Sequence, residues 1–217
     1  MTPAISRHAA FEQMPRHRHG PGYVALVLSG GYVEAGDRGR LRVAAGQAVF
    51  HGAYESHQNT FCGTGAQVLN LPVAAPSFDH AWGHVEDADA IARLAGQDPH
   101  QAAALLQRTF HPCAAWLDDW PDQLAAALAR DPTLNLTTWA DAMGIAPQSL
   151  SRGFRRVYGV SPKRYRLELR TLQALRQLPA WRGSLALLAA ETGFADQAHL
   201  THAVVALTGK TPKRLAG

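Results

Sequence analysis

His17-Arg18-His19 places two imidazoles two residues apart, and His57 follows 40 residues after His17. In an extended segment, residues two apart point to one face, so His17 and His19 would present their rings together just before a strand-like stretch. Three imidazoles converging on one β face suit a divalent transition metal such as Zn, Ni or Fe, with His51 as a substitute ligand. From residue types alone the plainer alternative stays open: the histidines line an empty or small-molecule pocket, or face solvent. His80 and His84 lie four apart and read as a solvated face, while His100 and His111 are scattered. Cys113 beside His111 reads as core packing. The sequence holds no Gly-rich phosphate loop, nucleophile elbow or paired-carboxylate arrangement.

A second chemistry lies at the other end of the chain. Gln148, Ser149, Ser151, Arg152 and Arg155 fall on one side of a helical pattern whose other side carries Leu150, Phe154 and Val157. Gln, Ser and Arg are the types that contact base edges and phosphates. Arg156, Lys163, Lys213 and Arg214 add candidate phosphate contacts, and Gln197, His199, Thr201 and His202 occupy the matching stretch of a second copy. The charge distribution agrees. Residues 131–217 hold 12 of the 21 Lys and Arg and 5 of the 17 Asp and Glu, a balance of +7; the first 130 hold the remaining 9 and 12, a balance of −3. A basic half suits a polyanion such as double-stranded DNA, and the other half does not.

The elements that must position these groups divide the 217 residues into three stretches. Residues 1–76 carry short apolar runs at 23–28, 47–50 and 67–71 that read as strands, with turns at Gly30-Gly31, Gly36-Asp37 and Gly63-Thr64-Gly65. Residues 77–122 show helical spacing at Ile91, Leu94 and Ala95, then Leu105, Leu106 and Phe110, and the pattern continues through Trp116, Leu117, Trp120, Leu124 and Leu128. This stretch reads as a helical connector and a candidate dimerisation segment. Residues 123–217 are helical and repeated. Asn135, Ala140, Gly144 and Ala146 recur 49 residues later as Ser184, Ala189, Gly193 and Ala195; after one extra residue the offset becomes 50, pairing Leu150 with Leu200, Phe154 with Val204, Gly159 with Gly209 and Pro162 with Pro212. Two copies of one supersecondary unit follow. Each has the parts of a helix-turn-helix: an N-cap at Asn135 or Ser184, a small Ala for the helix crossing, a left-handed Gly, and a turn plug at Ile145 or Phe194. Pro147 suits the first position of the second helix. The expected fold is α+β with two domains, a β domain, the helical connector and an all-α double helix-turn-helix.

Residues from about 123 to 217 resemble the DNA-binding domain of AraC/XylS-type transcription regulators. The strings that carry the resemblance are Trp139-Ala140 through Gly144, Leu150-Ser151-Arg152-Gly153-Phe154, Gly159-Val160-Ser161-Pro162, Arg170 to Ala174, Gly193 through Leu200, and Gly209-Lys210-Thr211-Pro212. The resemblance implies two subdomains joined by one long helix, about 162–178, with each recognition helix entering a successive major-groove segment. Two departures stand out. The recognition-helix caps, usually Ser, are Ala146 and Ala195, and losing such a cap costs about 1 kcal/mol, partly offset in the second copy if Asp196 favours the helix N-terminus. Val204-Val205-Ala206-Leu207 stands where the family carries an aromatic followed by basic residues. Arg152 and Arg155 are therefore expected to dominate affinity.

The N-terminal stretch resembles a cupin more loosely, over about 60 residues: His17-Arg18-His19, Tyr23 and Gly30, then Gly46, the His51-Gly52-Ala53 turn and His57. Metal-binding cupins carry Glu where Tyr23 stands and Pro where His51 stands, so by this alignment the Glu ligand is absent. Effector-sensing regulators of the AraC type often carry a cupin-like domain at this end. The resemblances together imply a cytoplasmic, homodimeric transcription regulator whose cupin-like barrel responds to a small effector or metal. The rival is a metal-dependent cupin enzyme of dioxygenase or isomerase type fused to a DNA-binding domain; a third reading makes the three-histidine site itself the input of a metal or redox sensor. Two cysteines, Cys62 and Cys113, without paired spacing argue against a disulfide framework or Cys-rich zinc site. No run of 18 apolar residues suggests a membrane span, and the opening 13 residues do not read as a secretion signal.

Overall fold

The computed structural model describes residues 4–73, 82–114 and 116–216. They form two compact units, Met1–Leu117 and Asp118–Gly217. The first is a single antiparallel sheet of eight strands among the described residues, β1 (Ala4–His8), β2 (Gln13–Arg18), β3 (Tyr23–Gly36), β4 (Gly39–Ala44), β5 (Gln47–His51), β6 (Ser56–Pro72), β7 (Trp82–Val85) and β8 (Phe110–Pro112). Their order is β1-β6-β3-β5-β7-β8, with β2 also pairing with β6 and β4 with β3.

Strand alternation explains why the sheet buries both faces. Along β3, Tyr23, Ala25 and Val27 join one apolar cluster with Val49, Phe61 and Val68. Val24 and Leu26 point the other way, into a second cluster with Phe50, Leu69 and Leu71. That second face is covered by α1 (Ala88–Ala95) and α2 (Pro99–Arg108), which bury Ile91, Ala95, Ala102, Ala103 and Leu106 against it. Asp87 and Asp98 cap these helices by accepting hydrogen bonds from Ala90 N and from His100 N and Gln101 N, satisfying donors no intrahelical carbonyl can reach.

Several expectations change here. The stretch 77–122 is not a separate helical connector: β7, α1, α2 and β8 complete the sheet unit, and the division falls at 117/118. Phe110 starts β8, and Trp116 and Leu117 lie outside any helix, with Leu117 N donating to Arg40 O at 3.0 Å. Of the three only Phe110 packs against the sheet's apolar cluster; Trp116 is 39% exposed, beside Trp82 at 6.3 Å. Gly30-Gly31 and Gly63-Thr64-Gly65 are not turns between strands but lie inside β3 and β6, where the register slips between Val27 and Ser29 and between Gly30 and Tyr32. A Cβ on Gly30, whose φ is +71°, would sit 1.9 Å from Gly65 O; only two glycines let the strands cross so closely at the bulge. Pro76 and His80 lie outside the described residues.

The second unit is all helical: α3 (Trp120–Arg130), α4 (Leu136–Ala142), α5 (Pro147–Tyr158), α6 (Pro162–Gln177), α7 (Leu185–Glu191), α8 (Gln197–Thr208) and α9 (Pro212–Ala216), with a 3-10 turn at Leu178–Ala180. α3 belongs to this unit because Leu124 and Leu128 are fully buried and the Tyr158 hydroxyl donates to buried Asp122 at 2.8 Å. Gly153 on α5 leaves room for the Trp120 ring, which would meet a Cβ there at 2.4 Å. Phe154, Tyr158 and Tyr165 stack into an aromatic core joining α5 to α6.

Candidate DNA-reading helices and the histidine cavity

The first-helix cap, left-handed glycine and turn hydrogen bond of the repeat recur in both copies. In the first copy Asn135 caps α4 by accepting from Thr137 N and Thr138 N, Gly144 takes φ +65°, and Ile145 N returns to Ala140 O at 2.9 Å. In the second, Ser184 caps α7 by accepting from Leu187 N, Gly193 takes φ +76°, and Phe194 N returns to Ala189 O at 2.8 Å. Gly159 and Gly209 end α5 and α8 in the left-handed region, where glycine carries no Cβ penalty. Pro147 occupies the first turn of α5 as expected.

The caps of the two second helices differ from expectation. Ala146 caps α5 without a side-chain bond. The cap of α8 is Asp196, not Ala195, and its carboxylate accepts from His199 N at 2.7 Å. The extra residue that moves the repeat offset from 49 to 50 is thus the residue that restores a cap.

Gln148, Ser149, Ser151, Arg152, Arg155 and Arg156 are all exposed on α5, and Gln197, His199 and His202 on α8, with Thr201 half-buried. Lys163, Lys213 and Arg214 are exposed at the starts of α6 and α9. The two outer faces are unequal. At the offset of 50, Arg152, Arg155 and Arg156 correspond to His202, Val205 and Ala206, so α8 carries no Lys or Arg. Sequence reading missed Arg170 as a tie between the copies: from α6 it donates to Gly193 O in the second turn at 2.9 Å and also to Pro132 O before α4.

In the first unit the structure gathers the expected histidines. His17 on β2 pairs across to His57 on β6, and one ligand atom each from His17, His19 and His57 lie within 4.8 Å of one another. Their ring centroids are 4.4 Å apart for His17–His57 and 5.1 Å for His17–His19. His17 Nδ1 lies 2.9 Å from Pro15 O; donating there leaves Nε2 with its lone pair. The rings line a cavity of about 170 Å³ together with Ser6, His8, Tyr23, His51, Asn59 and Asn70, and with an apolar wall that includes Met14, Tyr32, Phe61 and Val68. His51, opposite Tyr23 in the β3–β5 ladder, stacks on its ring at 4.5 Å.

The loop before His57 is pinned by two ion pairs. Arg16 pairs with Asp37, whose other oxygen accepts from Ser56 N at 2.7 Å. Arg38 Nε donates to Glu55 at 3.0 Å, and Glu55 accepts from Gly52 N at 2.8 Å. Burial holds His51 down to about 3, aided by His19 and Arg38. Burial, then His51 and His17, also hold His57 far below the ordinary imidazole range, and His19 is lowered by burial and by His17. Neutral imidazoles are ready metal ligands and poor anion binders.

One acidic group escaped sequence reading. Glu34, deep on β3 and 4 % exposed, brings a carboxylate oxygen within 4.8 Å of ligand atoms of His51 and His57. Burial and neighbouring Glu55 push it up to about 8. The alignment that left the cupin Glu position to Tyr23 gave no hint that a carboxylate arrives from the far end of the same strand.

Residues 139–216 match a family described as a helix-turn-helix domain. No curated protein matches the sequence. Among solved structures, ToxT from Vibrio cholerae aligns over 98% of this chain and 97% of its own at 9% identity with a TM-score of 0.42. The C-terminal domain of AraT, a response regulator from Geobacillus stearothermophilus, aligns over 47% of this chain and 87% of its own at 18% identity, TM-score 0.43. A probable AraC family transcriptional regulator from Rhodopseudomonas palustris aligns over 43% and 91% at 18% identity, TM-score 0.41.

Proposed function

We propose, from the premise that residues 139–216 match a helix-turn-helix domain, that this chain is a sequence-specific, AraC-type transcription regulator whose sheet unit senses a small ligand or a divalent metal. The observation that carries the reading is the duplicated cap, left-handed glycine and turn hydrogen bond that set α5 and α8 as equivalent, outward-facing helices. On this reading Gln148, Ser149, Ser151 and Arg152 read bases, Arg155, Arg156, Lys163, Lys213 and Arg214 hold phosphates, and Gln197, His199, Thr201 and His202 place the second unit. The regulator reading is preferred to the enzyme reading because the residues that match a family, 139–216, are the helix-turn-helix repeat.

The input is proposed to act at the 170 Å³ cavity. A metal held by His17, His19 and His57, with His51 close by, fits the convergence of three imidazoles on one cavity, and a bound ion or a small effector would change the DNA affinity of the second unit through orientation or dimer state. A homodimer acting on DNA in the cytoplasm completes the proposal; among the described residues no helix is long and apolar enough to cross a membrane. Selection of bound duplexes from a random library by the full chain tests the function. An enriched motif covering two successive major-groove segments is the expected result. Recovery of unenriched sequence would overturn it.

A further inference from the structure

His51 and His57 form a wall with space on both sides. On one side is the 170 Å³ cavity. On the other is a small cavity of about 10 Å³, lined among others by Glu34, His51, Glu55, Ser56 and His57. About one water-sized probe fills such a space, so it fits a single ion or a single water and no organic ligand.

Three buried atoms on residues lining this small cavity have no hydrogen-bond partner: Glu34 Oε2, Ser56 Oγ and His57 Nδ1. The residues are 4 %, 1 % and 2 % exposed. Native interiors leave few such groups, and three beside one cavity point to a missing occupant. His51 Nε2 lies 3.6 Å from Glu34 Oε2, too long for a hydrogen bond but suitable for two atoms sharing a third. The donor types, one carboxylate oxygen and two imidazole nitrogens within 4.8 Å of one another, point to a metal cation. Of the carboxylates lining the cavity, Asp37 is paired with Arg16 and Glu55 with Arg38, while among the described residues no ion pair ties Glu34 to a Lys or Arg, and the imidazole of His51 stands against it.

We propose that Glu34, His51 and His57 form a second, deeper divalent transition-metal site of two imidazoles and one carboxylate, separate from the three-histidine group and sharing only His57 with it. The donors come from three strands, β3, β5 and β6, so the site is held by the sheet and not by a loop. Two histidines with a carboxylate is a donor set that suits Zn and non-haem Fe(II). The Ser56 hydroxyl stands where it could support a ligand from outside the coordination sphere. The wider cavity, with His17 and His19 on its rim, gives an ion a route to the other side of the same two rings. The proposal stands apart from DNA binding.

The test is Co(II) binding to the full chain after chelator treatment, followed by calorimetry and by X-ray absorption, with folding checked by circular dichroism. The double variant His17→Ala/His19→Ala removes the rim ligands; it should keep one Co(II) per chain, with two imidazoles and one carboxylate around it. Adding Glu34→Gln, or separately His51→Ala, should weaken that ion by more than about tenfold, since each removes a direct donor and even an outer partner of a ligand is worth about that much. The double variant binding no ion would overturn the deep site while leaving the three-histidine reading intact. Binding unchanged by Glu34→Gln and by His51→Ala would overturn it too, as would a wild-type chain that takes up no ion, which assigns the small cavity to a water and removes both metal readings. Should Glu34→Gln fail to fold, His51→Ala and the absorption spectrum of the double variant still decide the outcome.

Discussion

Replacing Arg155 by Ala removes one exposed guanidinium from α5 and leaves the core side of that helix untouched, since Leu150, Phe154 and Tyr158 alone are buried there. If Arg155 neutralises one phosphate, the slope of log affinity against log salt falls by about 0.9. Across a fourfold rise in salt, from about 50 to about 200 mM, one such contact accounts for a factor of about 3.5. The variant should therefore bind more weakly at low salt and close much of that gap at high salt. The reverse change is the stronger test. Val205, its partner in the repeat, is 38% exposed, and Val205→Arg would place a guanidinium on the outer face of α8, steepening the slope by about 0.9. Fluorescence anisotropy on a fixed duplex across salt reads both variants. His202→Ala should leave the slope within error. If His202→Ala cost more affinity than Arg152→Ala, or if Arg155→Ala left the slope unchanged, the reasoning that α5 supplies most of the electrostatic grip would fail.

Other outcomes follow from the same contacts. Phe154 is fully buried and stacked on Tyr158 at 4.7 Å, so Phe154→Ala should destabilise the helical unit by about 3–5 kcal/mol in chemical denaturation; a loss under about 1 kcal/mol would contradict the packing. Ala146→Ser adds the missing cap of α5 and Asp196→Ala removes the one on α8, so their unfolding free energies should move in opposite directions by about 1 kcal/mol each, and a shared sign would refute the cap assignment. In metal-free protein, His51 held near 3 against an ordinary 6.5 makes stability rise with pH up to about 6.5, because there the unfolded chain binds more protons. Glu34, held near 8 against an ordinary 4.5, keeps its proton when the unfolded chain has lost it, so stability falls with pH from about 4.5 to about 8. Above pH 6.5 only the second effect remains of the two. The melting temperature of the chelator-treated wild type should drop more between pH 6.5 and 8 than that of Glu34→Gln; equal drops would contradict the buried acid.

How much of this was legible in the sequence depended on the range of the contacts. The helix-turn-helix units were readable because caps, left-handed glycines and buried Leu and Phe positions are local, and because the chain states them twice. The long helix was expected over 162–178 and runs Pro162–Gln177. The histidine group was readable from the two-residue spacing of His17 and His19, but His57 joins them only through the β2–β6 ladder. Glu34 was not readable: it reaches His51 and His57 because β3 continues past its bulge at Gly30, and a bulge turns a strand without leaving a turn signature. The same bulge made Gly30-Gly31 look like a strand end. Arg170 was quoted only as part of a family string, since its bonds to Pro132 O and Gly193 O span 38 and 23 residues. The fold of residues 86–112 was misplaced because amphipathic helices covering a sheet and amphipathic helices forming a connector have one sequence pattern.

The most direct measurement is a hydroxyl-radical footprint of the full chain on a duplex enriched by selection. Two helix-turn-helix units reading successive major grooves should protect two patches on one face of the duplex, about 10 base pairs apart, with the patch under α5 the one that persists as salt is raised. A single protected patch, or protection spread evenly around the duplex, would contradict the account.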